Sequence, residues 1–208
     1  MPATSSTNTQ ESAVDEADRL KTDGHYLYVS SIDQPSISIF KAETSAAPLV
    51  AQQTLATLNE APLSGFYLRD AENQILTISG DGQNAYPIAD MWFEPYYWQN
   101  RNTELFSLDV SNPEEPTQQN KLSIDGQLIS SRRIGAYLYL ATRHTPIPDG
   151  VIEYPASEDD VEKNQSIINA ANLNDLLPSY QINDGDKQSL LESDDCFVTD
   201  YDNANTQQ

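Results

Sequence analysis

Apolar and polar residues alternate along this chain in short runs bounded by turn formers. YLYV at 26–29, ILTI at 75–78 and YLYL at 137–140 are three similar cores of strand-forming residues, preceded by TDGH, DAENQ and IGA. They begin 49 and 62 residues apart, and the second interval holds an irregular stretch of 20 residues at 83–102, without which it shrinks to 42. A second repeat runs beside the first. SISIF at 36–40 and ELFSL at 104–108 each lead into a proline-containing link, KAETSAAP and DVSNPEEP, and then into a further strand, LVAQQTL and QQNKLSI. GFYLRD and GQLISSRRI follow and lead back into ILTI and YLYL.

The recurring unit is four short antiparallel strands with polar turns, at intervals near the length of one blade of a β-propeller. The predicted fold is mainly β: a partial β-propeller of about two to three four-stranded antiparallel blades, spanning residues 13–208 behind a small, polar, flexible leader at 1–12. One segment breaks the pattern. In SEDDVEKNQSIINAANLNDLLP, Ser157 is placed as an N-cap, Asp160 stands three residues on, and Val161, Ile167, Ile168 and Ala171 recur at near-helical spacing until Pro178. This predicts a helical insertion near residues 157–177. Its simplest role is to pack an apolar face on the propeller; the sharper reading is a partner-binding helix. Closing a propeller takes at least four blades, so the chain reads as a fragment whose remaining blades belong to the full-length protein.

Composition changes this picture in a few respects. The chain has 208 residues with 32 acidic against 11 basic side chains, and its net charge of −21 repels phosphate backbones, which argues against nucleic acid as a partner. The single cysteine, Cys196, and the two histidines, His25 and His144, exclude an internal disulfide and a zinc cluster. No apolar run reaches the about 18 residues of a membrane span, so no membrane insertion is expected within this chain, and the N-terminus carries no export signal.

VDEADRLKTDGHYLYV at 14–29, TELFSLDVSNPEEP at 103–116 and SSRRIGAYLYLAT at 130–142 together resemble the secreted β-propeller-domain family distantly related to WD repeats. Arg19 departs from it where the family usually has an aliphatic residue, and Ser130 where it often has an acid. The resemblance implies a propeller fold and a secreted or cell-envelope location. It implies no reaction, because members are mostly of unknown function.

Several features invite chemistry. Asp15 to Asp18 spell DEAD, letters shared with nucleic-acid helicases, yet no G-x-x-x-x-G-K-[ST] phosphate loop occurs anywhere in the chain. In GQLISSRRIG, alternation puts Arg132 on the face of Leu128 and Ile134; if that face is inward, the guanidinium needs a carboxylate. Asp15, Glu16 and Asp18 are the candidates, which makes the acidic stretch a structural clasp. Trp92, Phe93, Tyr96, Tyr97 and Trp98 lie in the irregular stretch, where they either cover the strands at 75–78 and 104–108 or form an exposed binding surface. NDGDKQSLLESDD at 183–195 resembles a calcium loop with its bidentate acid displaced by one position. No cofactor is implied, although a looser calcium site built from backbone carbonyls and Asp184, Asp186 or Asp194 stays open.

Two functions follow as expectations. The first is a non-catalytic extracytoplasmic binding or scaffolding module for a protein or glycan ligand, with no catalytic residues assigned. The alternative is an extracytoplasmic hydrolase whose site is built from propeller loops lying partly outside this fragment, since the abundant carboxylates could supply an acid and a base.

Overall fold

The computed structural model describes residues 14–42, 46–80, 102–152 and 154–195. The leader at 1–12 and the aromatic stretch around Trp92 to Trp98 lie outside the described residues. Among the described residues, thirteen strands form three antiparallel sheets, with one α-helix beside them: β1 (Val14–Asp15), β2 (Leu20–Thr22), β3 (Tyr26–Ser30), β4 (Ser36–Lys41), β5 (Leu49–Thr54), β6 (Leu63–Arg69), β7 (Gln74–Gly80), β8 (Asn102–Asp109), β9 (Thr117–Asp125), β10 (Gln127–Ile134), β11 (Tyr137–Arg143), α1 (Glu158–Ala170), β12 (Ser179–Ile182) and β13 (Gln188–Ser189).

The first sheet runs β2-β3-β4-β5 in chain order, the arrangement of one blade. Its first hairpin is set by TDGH: Gly24 takes φ +89°, and Asp23 Oδ1 accepts from the backbone N–H groups of His25 and Tyr26, each at 2.7 Å. The second sheet repeats the unit as β6-β7-β8-β9, and β12 and β13 extend its outer edge. The third consists of β10 and β11 with β1 added beside β10.

Stacking of the sheets makes the core. Tyr28, Ile37, Ile39 and Leu55 of the first sheet region bury against Phe66, Ile75, Phe106 and Leu108 of the second. On the opposite face of the second sheet, Tyr67, Ile78 and Leu105 meet Leu128, Leu138 and Leu140 of the third. A sheet covered on both sides must carry apolar residues on both, which is why β7 and β8 are mostly buried along their length. Each fully buried ring such as Phe66 or Phe106 contributes about 1.5–3 kcal/mol relative to exposure.

Pairing and burial correct the sequence reading in four places. Tyr26 pairs with Lys41 at the end of the first sheet's third strand, and Gln74 pairs with Asp109 at the equivalent place, so Gln74 matches Tyr26 and ILTI sits one position out of register with YLYV. A bulge between Leu128 and Ser130 reverses the faces of β10 beyond it. Ser131 is therefore buried, and Arg132 lies on the outward face with Ile134. The helix forms inside the predicted segment, with Ser157 and Asp160 completing a capping box, but it buries no residue: Val161 and Ile168 are 43% and 56% exposed. It packs lightly on its own approach, where Asn164 exchanges hydrogen bonds with Ile152. Finally, the stretch from Ser179 to Ser189 forms the β12–β13 hairpin, which anchors the insertion to β9.

Candidate functional site

The acidic stretch touches the first strand of every sheet. β1 pairs with β10, Asp18 exchanges two backbone hydrogen bonds with Phe66 on β6, and the chain then enters β2. Asp15 occupies the centre. Its Oδ1 accepts from Lys21 Nζ at 2.8 Å, and its Oδ2 accepts from Arg133 Nη2 at 3.1 Å and Nε at 3.3 Å. The Lys21 side chain is only 3% exposed, whereas those of Asp15 and Arg133 are 21% and 23% exposed. Glu16 Oε1 lies 3.0 Å from Arg132 Nη2, but these side chains are 45% and 49% exposed. The Asp18 carboxylate instead accepts from the Arg19 N–H at 2.7 Å. The bulge in β10 thus gives the inward position to Arg133 and leaves Arg132 a surface pair.

Tyr67 continues this polar seam. Its hydroxyl meets Ser131 Oγ at 2.8 Å, and Lys21 Nζ stands 6.0 Å from its ring centroid. Burial pushes its phenol above the ordinary value of 10.0, opposed by hydrogen bonds with Ser131 and the Ala17 backbone. A second buried charge, Glu104, accepts from Lys121 Nζ and from the Leu58 N–H, both at 2.6 Å.

A cleft of about 380 Å³ opens where the insertion meets the second sheet. Asn102 at the start of β8 and Asp125 at the end of β9 form one side. His144, Ile147 and Asp149, on the link that leaves β11, form another. The remainder is Asn174, Asp175 and Leu177 from the turn after α1, with Ser179, Lys187, Gln188 and Ser189 from the β12–β13 hairpin. Several of these groups are held in place. Asp125 Oδ2 accepts from the Ser179 N–H at 2.9 Å and from its hydroxyl at 2.7 Å. Asp175 Oδ2 accepts from the Asn172 N–H at 2.9 Å, and the Gln188 carbonyl accepts from the Tyr180 hydroxyl at 2.5 Å. His144 Nε2 lies 3.0 Å from the Leu176 carbonyl oxygen; since a carbonyl only accepts, Nε2 carries the proton.

Sequence reasoning missed this cleft, because its walls come from four separate stretches, at 102, 125, 144–149 and 174–189, and nothing in the chain order says that they meet. The lone His144 after YLYLATR was the nearest signal. Among the described residues, no group of three or more His, Cys, Asp or Glu is arranged to hold a metal. Also among the described residues, no helix is long and apolar enough to cross a membrane.

The chain matches no curated protein and no solved structure. The family described as the beta propeller domain matches residues 4–207. That span takes in all three sheets, the clasp and the insertion, and the blade-like order of the first two sheets is what such a family requires. The chain belongs to the β-propeller domain family.

Proposed function

We propose that this propeller chain is a non-catalytic binding or scaffolding module of the cell envelope or extracellular space. The observation that supports it is the division of labour among its polar groups. The buried and half-buried charges, Asp15, Lys21, Arg133, Glu104 and Lys121, are spent on joining strands. At the insertion, by contrast, carboxylates, amides and an ammonium are interspersed around an open cleft. The carboxyls of Asp109 and Asp160 are lowered by hydrogen bonds from Ser111 and from the Ala156 N–H with Ser157, which are turn and cap contacts.

The test is a glycan and peptide array screen of the chain, run beside hydrolysis assays on chromogenic glycosides and esters. Retention of a ligand without turnover is the expected result. The hydrolase reading draws support from Asp149 and Asp175 in the cleft; turnover abolished by Asp149→Asn would establish it and overturn the module.

A further inference from the structure

We infer that the cleft at the insertion binds a neutral polyhydroxylated ligand, a sugar ring or short oligosaccharide, an inference that rests on the binding-module reading. Its polar groups are of both kinds. Asp149 and Lys187 have no hydrogen-bond or ion-pair partner among the described residues, so a full acceptor and a full donor face the opening uncommitted. The Gln188 carbonyl is occupied by Tyr180, which leaves its amide N–H groups to donate. Asp175 uses one carboxylate oxygen in its cap and keeps the other.

The ligand class follows from complementarity. A hydroxyl donates and accepts at one atom, so a polyol satisfies a wall on which carboxylates and amides are interspersed. An anionic ligand meets three carboxylates, Asp125, Asp149 and Asp175, against one lysine. A divalent cation finds no three-ligand group among the described residues and faces Lys187. An apolar ligand covers Ile147 and Leu177 but strips water from the charged groups without replacing it. The same two aliphatic residues suit the C–H face of a sugar ring. The volume lies at the lower end of small-ligand pockets, and the bonds fixing Asp125, His144, Asp175 and Gln188 exist before any ligand arrives, which lowers the cost of ordering the site.

The experiment is a titration of the 208-residue chain, followed by backbone amide NMR and calorimetry, with maltotriose, lactose, xylotriose and mannotriose as neutral probes. Sodium glucuronate and calcium chloride serve as charged controls. At least one neutral sugar is expected to bind with Kd on the order of 1 mM and to shift amides of Asn102, His144, Ser179 and Ser189. Asp149→Asn and Lys187→Met are each expected to weaken it about tenfold with an unchanged melting temperature, the loss of one charge-assisted hydrogen bond. The inference is overturned if no neutral sugar shifts the cleft amides, if both variants bind as tightly as the parent, or if glucuronate or calcium occupies the cleft more tightly than every neutral sugar. If either variant fails to fold, the parent's shift map alone decides. An array ligand retained equally by both variants sinks the sugar cleft and leaves the module standing, whereas an array and a titration that are both blank sink both.

Discussion

Asp15→Asn removes a charge from the point where the first and third sheets meet, at nearly constant volume. Lys21, 3% exposed, faces this carboxylate at 2.8 Å, and Arg133 faces its other oxygen at 3.1 Å. Removing one partner of a buried ion pair costs about 3–5 kcal/mol, because the remaining charge was desolvated on folding. Asp15 and Arg133 are each about one-fifth exposed, so solvent screens part of this, and the expected cost is about 2–4 kcal/mol. Glu16→Gln is the internal comparison. Its pair with Arg132 is half exposed on both sides, and surface pairs are worth about 0–1 kcal/mol. Urea denaturation followed by far-UV circular dichroism measures both. A double-mutant cycle with Lys21→Met should return a coupling above about 1 kcal/mol. The reasoning fails if Asp15→Asn and Glu16→Gln cost the same within about 0.5 kcal/mol, or if the cycle shows no coupling.

Tyr67→Phe should destabilise by about 1 kcal/mol, since Ser131 Oγ loses its buried partner. In an alkaline spectrophotometric titration Tyr67 should ionise after the ordinary tyrosines; because its folded value is raised, its contribution to stability is whole below 10.0 and falls as pH rises through the folded value. Ser157→Ala should fray α1 and cost about 1 kcal/mol of local stability, read as lost helical dichroism. Asp160 in the same box has a lowered carboxyl, so its contribution is full above the ordinary 3.8 and is lost as pH falls below it, which an acid titration of the helix signal checks. Gly126→Ala should cost about 1–3 kcal/mol in a thermal melt, because φ is +121° and a Cβ would stand 3.2 Å from Thr142 Cβ.

Strands were legible because their alternation reflects a sheet with distinct faces, and α1 because Ser157 and Asp160 cap it through groups only three residues apart. Register was not. Whether Gln74 or Ile75 matches Tyr26 depends on the partner strand, since both alternations look alike along one strand. The bulge in β10 was equally silent: LISS contains no residue that announces it, yet it decides that Arg133 and not Arg132 turns inward. The clasp could be guessed to one of three acids but not to Asp15, because its choice depends on Lys21, which sequence pattern shows as one polar residue in a short strand. The cleft depends on β12 joining β9, and that contact between residues some 60 apart leaves no local trace.

The pairing of β1 with β10 has a consequence for how the chain reaches this state. Val14 lies opposite Ile134, so the strand at the start of the chain stays without its partner until well over a hundred further residues have been made. On a ribosome β2 to β9 emerge before β10, so their hairpins can form while β1 still waits for its partner. Closing so long a loop is entropically unfavourable and comes after the local hairpins. Weakening the clasp therefore leaves the rate of folding nearly unchanged and shortens the lifetime of the folded chain, because contacts formed after the transition state act on unfolding.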